Sequence, residues 1–300
     1  MKTHYEPYYK SKQYGFENKD YEPLEQMLAK TRDFKSSFAE FKIKTTSDGF
    51  HIIDESIHSA GAKARFADYY MSQLENDHLV YVAPRVGYAG LSLAYLAEKH
   101  GKKLTLVMPA SKQISHHQAL AIQWGAEPLF ARIAAMPVAN SYAKKYAEAV
   151  GAEFAPFGLD HPDVYAGAVR ELQRLRPLLD GKRIWSVIST GVLSRSLQIA
   201  LPETEVINVA VARNIQQGEL GKAHFTSYHK KFTDKSDVIP TEFNSVDTYD
   251  AKGWHYMKEY GKKEDYFFNV AGEPEAADPK IYNINSQRAW GDLSDFRGII

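Results

Sequence analysis

The chain of 300 residues contains no cysteine. That excludes disulfides, thiolate metal sites and thiol nucleophiles. An excess of one charge is also missing. Thirty-seven basic residues balance 37 acidic ones, so no overall field draws the protein to nucleic acid or to an acidic membrane. No apolar run approaches the ~18 residues of a spanning helix, and we expect no membrane partner. The start, Met1-Lys2-Thr3-His4-Tyr5, lacks the apolar stretch of a signal peptide, and we expect a cytoplasmic protein. Several catalytic signatures are absent too. Ile188 precedes Ser189, so there is no Gly-x-Ser-x-Gly elbow. There is no Walker lysine and no three-glycine dinucleotide fingerprint. None of the 11 histidines forms a His-x-x-x-His run, and the adjacent His116 and His117 project apart on a helix, so no metal is expected.

What is present is an ordinary globular composition, with length enough for two domains. From residue 79 an alternation begins. Apolar strands are expected at 79–83, 104–108, 127–131, 152–157, 184–189 and 206–212. Helices are expected over 87–100, 112–124, 137–150, 161–176 and 191–200. This pattern predicts the α/β class, with mostly parallel sheets covered by helices on both faces. After residue 213 the rhythm fades. A polar stretch at 214–250 leads to a helix near 251–260 and a short strand and turn at 267–272. Near the start, Tyr5, Tyr8, Tyr9, Tyr14 and Tyr21 interleave with Lys2, Lys10, Lys12 and Lys19. We read an arm that packs on the body or on a second subunit. Stacking on bases is the second reading, and the neutral charge weighs against nucleic acid as a partner.

Three short segments carry chemistry. In Asp54-Glu55-Ser56-Ile57-His58-Ser59-Ala60-Gly61-Ala62-Lys63-Ala64-Arg65, one lysine sits among small residues, where its amine can approach a carbonyl. Such an amine is a nucleophile once burial or a neighbouring charge lowers its pKa, and Arg65 is the candidate charge. In Pro84-Arg85-Val86-Gly87-Tyr88-Ala89-Gly90, two glycines at a strand-to-helix turn let a ligand approach the backbone. In Ser189-Thr190-Gly191-Val192-Leu193-Ser194-Arg195-Ser196, hydroxyls and free amides at a helix start form a phosphate cradle, to which Arg195 adds charge if it points inward. The plain alternatives are a solvated lysine, a tight turn, and a helix capped by Ser189 or Thr190.

In order and context, the three segments resemble the fold-type II pyridoxal-phosphate enzymes, the group of threonine synthase, serine and threonine dehydratases, cysteine synthase and the tryptophan synthase β subunit. The resemblance runs over about residues 45–212. It places Lys63 at the Schiff-base lysine, with Ala64 where the family has an acid and with Arg65 retained. Gly87 and Gly90 match the glycines of the family's Ser-x-Gly-Asn-x-Gly loop. Arg85 stands at the serine and Tyr88 at the asparagine. The phosphate loop falls on Ser189, Thr190, Gly191 and Val192, with only Gly191 and the threonine kept.

The resemblance implies two three-layer α/β domains. A large cofactor domain is built from 1–75 and 152–300, and a small one from 76–151. It implies pyridoxal 5'-phosphate as cofactor, bound by Lys63, Tyr88, Ser189, Thr190, Gly191, Val192 and Ser194. Arg85, Gly87, Tyr88, Ala89 and Gly90 would hold a small-molecule amine substrate. Asn269, Asn285 and Ser286 lie in the third of the chain that supplies the ring-nitrogen partner in the family, and none is assigned to it. The implied activity is that of a lyase or synthase working through a Schiff base and an α-carbanion, on an amino acid or amino-acid conjugate, in a homodimer. The altered loops leave two alternatives: a substrate that is an amino-acid-modified nucleotide or DNA base, and a non-catalytic homologue serving as a binding or partner subunit.

Overall fold

The computed structural model describes residues 2, 3, 21–132, 135–212, 215 and 220–283. Residues 4–20 of the aromatic arm, and Asn285 and Ser286, lie outside the described residues. In chain order the elements are β1 (Lys2–Thr3), α1 (Leu24–Lys30), β2 (Ile43–Thr45), β3 (His51–Asp54), α2 (Gly61–Gln73), β4 (His78–Val82), α3 (Ala89–Lys99), β5 (Lys103–Pro109), α4 (His116–Gln123), β6 (Glu127–Ala131), α5 (Met136–Val150) and β7 (Glu153–Phe154). They continue with α6 (Pro162–Gln173), α7 (Arg176–Leu179), β8 (Arg183–Ile188), α8 (Val192–Ala200), β9 (Glu205–Ala210), β10 (His224–Ser227), α9 (Asp250–Tyr260), β11 (Tyr266–Asn269) and α10 (Pro279–Tyr282).

The chain forms two compact units, Met1–Phe66 with Pro162–Glu273, and Ala67–His161 with Pro274–Ile300. The first holds a seven-stranded sheet in the order β1-β10-β9-β8-β11-β3-β2. Its inner strands are parallel and only the edge strands β1 and β2 run antiparallel. The central strands β9, β8 and β11 are nearly continuous apolar runs because both faces are covered. Trp185, Val187, Ile207, Val209 and Phe267 pack with Phe50 and Ile52, and with Trp254 and Met257 of α9. Gly253 permits that contact: a Cβ there would collide with the Val187 side chain.

The second unit holds a four-stranded parallel sheet, β6-β5-β4-β7. Helix α5 brings Ala139, Ala143 and Ala147, spaced by four, against Val80, Val82, Val107 and Leu129. Small side chains in one row let the helix lie close to the strands. The resemblance implies an inserted domain at 76–151, and the second compact unit spans Ala67–His161 with Pro274–Ile300. Buried Asp68 ties the start of this unit to α3, accepting hydrogen bonds from Lys99 at 2.6 Å and His100 at 2.8 Å. Residues after 273 join it through a His116–Tyr282 hydrogen bond of 2.6 Å and the Asp278 amide, which donates to Gln123 at 2.8 Å.

The expected strand at 127–131 is observed as such, and that at 152–157 shrinks to Glu153–Phe154. The helix expected over 161–176 ends at Gln173, and α7 restarts at Arg176 with Pro177, which has no amide to continue the ladder. Among the described residues no helix is long and apolar enough to cross a membrane.

A buried ion network holds the first unit together. Arg65 donates to both carboxylate oxygens of Glu55 at 2.8 Å, to Glu171 at 3.1 Å and to the Ala39 carbonyl at 2.8 Å. Its guanidinium lies 4.2 Å from the Phe41 ring centroid. All three charged side chains are sealed from water. Removing the cation strands the buried carboxylate of Glu55 and leaves Glu171 with Arg174 alone, so Arg65→Ala is expected to destabilise the protein by about 3–5 kcal/mol, measured by urea unfolding.

Candidate functional site

Ligands of parallel sheets sit beyond the carboxyl ends of the strands. In the first unit β3, β11 and β8 are neighbours with the same direction, so their carboxyl ends share one edge. Three segments leave that edge: the run to Lys63 after β3, Val270–Gly272 after β11, and Ser189–Val192 after β8.

Lys63 is the third residue of α2 and half-buried, between buried Ala62 and Ala64. The start of α2 is pinned by the Ala62 amide, which donates to the Val270 carbonyl at 2.8 Å. The polar lead-in is structural. Burial alone would raise the Asp54 carboxyl, but hydrogen bonds from Ser56, Lys44 and Asn269 hold it below the usual carboxylate range. Arg65 is not the charge expected to act on Lys63. Two helix positions away, it projects toward the opposite side and is neutralised by Glu55 and Glu171.

Gly191 has φ 85°, and a Cβ there would lie 2.9 Å from the Arg195 Nη1 and 3.0 Å from Leu220 Cδ2. Arg195 does point inward. It is buried, donating through Nε to the Tyr165 hydroxyl at 2.9 Å and through Nη2 to the Thr190 carbonyl at 3.0 Å. The loop therefore combines the free amides at the start of α8 with a buried guanidinium behind them. Ser194 departs from expectation. Its hydroxyl accepts from Asn208 on β9 at 2.9 Å and from Gln198 at 3.2 Å, which places it against the sheet.

Beside β11 lies a polar nest that the sequence did not reveal. Asp250 is fully buried, with neither carboxylate oxygen making a hydrogen bond of good geometry, and the Asn269 Oδ1 and Ser245 Oγ are likewise unpartnered. Burial pushes the Asp250 carboxyl well above the ordinary range, with partial compensation from the nearby amides of Ala271 and Val270. The Tyr249 hydroxyl donates to the Val187 carbonyl at 3.2 Å, and burial pushes its phenol up. In sequence, Tyr249-Asp250 reads only as the start of a helix after a polar stretch.

The loop from Arg85 to Gly90 belongs to the second unit. Arg85 is exposed and donates to the Gln113 carbonyl at 2.8 Å. Gly87 has φ 134°, which favours glycine. Tyr88 is half-buried, with its ring edge-to-face against His117 at 5.2 Å. Ala89 is buried at the start of α3. Gly90 serves packing: an added Cβ would sit 3.0 Å from the Ala83 Cβ.

No family model matches the sequence, and no curated protein does. Solved structures do match. An ACC deaminase homologue aligns over 83% of this chain and 95% of its own, with a TM-score of 0.72 at 15% identity. Threonine deaminase isoform 2 from Solanum lycopersicum aligns over 93% and 94%, with 0.67 at 14%. A pyridoxal 5'-phosphate-dependent aspartate racemase aligns over 88% and 99%, with 0.60 at 14%. The fold is that of the fold-type II pyridoxal-phosphate enzymes.

On this fold-type II scaffold, Lys63 and the Ser189–Val192 loop share the edge of one sheet, and the loop from 85 to 90 sits on the other unit. His117, at first notable only as a poor metal pair with His116, is a second residue that sequence undervalued. Burial, and then neighbouring His116, push its imidazole down to about 4, and its Nε2 has no partner. It is neutral in the native state and binds a proton near pH 6.5 when unfolded. Stability is therefore full above pH 6.5 and falls as pH drops toward 4. His117→Gln should remove about 2–3 kcal/mol of that acid sensitivity, seen as a smaller shift of the urea midpoint between pH 6.5 and 4.

Proposed function

We propose that this chain is a pyridoxal-phosphate enzyme acting on an amino acid or amino-acid conjugate, with the first unit carrying the cofactor. The observation that supports this reading most is the shared edge of β3, β11 and β8: a half-buried lysine follows the first, unpartnered polar groups surround the second, and a glycine cradle backed by a guanidinium follows the third. The donor set fits the group. Gly191 turns at positive φ with the Arg195 guanidinium packed against it, and the orphaned polar atoms match a ligand with a polar heteroaromatic ring.

When bound, the cofactor supplies an aldehyde for an amine and a ring that accepts the electron pair left at the substrate α-carbon. The residues do the rest. The amides at the start of α8 and the Arg195 guanidinium hold a phosphate. Ser189 and Thr190 add hydroxyl donors, and Val192 shields the seat from water. The Lys63 amine anchors the group and later takes or returns a proton at the α-carbon. For the substrate, Arg85 offers a fork for a carboxylate and Tyr88 a hydroxyl, on a loop opened by Gly87 and Gly90 and followed by Ala89. Elimination or replacement at the substrate, in a homodimer, is the finer reading.

Protein mixed with pyridoxal 5'-phosphate should develop a near-ultraviolet or visible band. Borohydride should then fix a mass increment on the peptide carrying Lys63, and Lys63→Ala should lose both. An increment on another lysine, buried Lys252 included, or none at all, would sink the proposal. Gly191→Ala should weaken pyridoxal 5'-phosphate by about tenfold or more and leave pyridoxal, which has no phosphate, nearly unaffected. Equilibrium titration of both ligands measures this.

A further inference from the structure

The carboxyl edge of the second sheet carries unpaired donors that the proposed mechanism does not use. Strands β4 and β5 are parallel neighbours, so the turns that follow them lie side by side, where parallel sheets receive ligands. Arg85, on the first turn, donates to the Gln113 carbonyl of the second at 2.8 Å. Tyr88 sets its ring edge-to-face on His117, 5.2 Å away, in the first turn of α4. The loop from 85 to 90 is thus tied directly to the start of α4.

At that start, two side chains are buried with a nitrogen left over. His117 is 8% exposed and Gln118 2%, and the Nε2 of each has no partner. Capping explains only part of Gln118. Its Oε1 accepts from the Ser115 amide at 3.1 Å, and its own backbone amide donates to the Ser115 Oγ at 3.2 Å. The backbone donor on Oε1 fixes which end of the carboxamide is the nitrogen, and that nitrogen lies at the beginning of the helix. Sealing such a donor from water is costly unless a ligand completes it. The helix adds backbone donors. Its first bond runs from the Ala119 amide to the Ser115 carbonyl, so the amides of His116 and His117 have no partner within it.

The missing partner is an acceptor, since the carboxamide nitrogen and the backbone amides only donate. Charge narrows it further. Residues 84–90 and 109–118 include Arg85 and Lys112 and no acid, and the start of a helix favours negative charge. An ammonium would find no counter-charge here, and a neutral carbonyl would use the donors without the charge. We infer that the start of α4 seats a second anionic group of the substrate, a side-chain carboxylate or a phosphate, held by the Nε2 atoms of His117 and Gln118 and by the first amides of α4. His117 serves as the neutral tautomer with its proton on Nε2. The inference rests on the reading above, in which Arg85 takes the carboxylate next to the reacting carbon. It names the substrate class: an amino acid whose side chain ends in an acid or a phosphate. No bond forms or breaks at this seat, which acts through binding and orientation.

Gln118→Glu separates this role from capping, because glutamate keeps the oxygen that caps Ser115 and replaces the donor by a negative oxygen. Protein loaded with pyridoxal 5'-phosphate is titrated at pH 8 with L-aspartate, L-glutamate and O-phospho-L-serine, each against its neutral counterpart, asparagine, glutamine or serine. The cofactor band reports binding. At least one acidic ligand should bind about tenfold or more tightly than its counterpart. Aspartate or glutamate in that place identifies a carboxylate, and phosphoserine a phosphate. Gln118→Glu should erase the preference and leave affinity for the neutral amino acids little changed. His117→Phe, which keeps a ring against Tyr88, should weaken it. In wild type without cofactor, labelled with 15N in its glutamine side chains, the preferred acid should shift the Gln118 Nε2 signal, a result that needs no variant to fold. Equal affinity for acidic and neutral ligands, or a preference that survives Gln118→Glu, overturns the inference while the bound cofactor keeps the enzyme reading. If no cofactor binds, the enzyme reading falls and the Gln118 signal decides the seat: a shift with an acidic ligand alone supports an anion site, and no shift removes it.

Discussion

The parallel register of β8, β11 and β3 is the constraint on which the site depends. Tyr266 pairs with His51 on one side and with Ile184 on the other, so three chain segments remote in sequence leave the sheet at the same height. Parallel strands need covered faces, and the covering is what dries the edge where they end. A lysine, a glycine turn backed by a guanidinium and a buried acid are thereby gathered from three distant stretches without a long loop.

That edge is not built for stability. The Ser245 Oγ and Asn269 Oδ1 are buried without partners, the buried Asp250 carboxyl has only the amides of Val270 and Ala271 beside it, and Gly191 adopts a conformation other residues resist. The compensation lies one layer away. The Glu55–Arg65–Glu171 cluster locks β3 and α2 to α6, and the apolar wall of Trp185, Trp254 and Phe267 anchors β8, β11 and α9. Strain and satisfaction are thus separated in space. The start of α2 serves both, since Arg65 belongs to the cluster and Lys63 faces a different direction from the same turn.

Much of the alternation was legible because parallel strands are apolar throughout and need no context to stand out, as in Ile184-Trp185-Ser186-Val187-Ile188. The short strand His224–Ser227 was not, since a half-exposed four-residue strand in a polar stretch has no period of its own. Helix α2 was hidden for the opposite reason. Most of its residues are buried, so it has no polar face to mark one side. Arg85, Gly87, Tyr88, Ala89 and Gly90 were legible as one loop, but only packing separated Gly87, which needs its positive φ, from Gly90, which needs room for Ala83.

By itself the sequence determined the α/β class, the position of Lys63 among small residues and the glycine turn at 191, because each is a local pattern of side-chain size and polarity. Tertiary structure decided the rest. Whether Arg195 turned inward, whether Arg65 served Lys63 or a salt-bridge cluster, and whether Asp250 met a partner all depended on groups far off in the chain: Tyr165, Glu171 and Val270. Desolvation and pairing are properties of a neighbourhood, and a neighbourhood exists only once the strands have found their register.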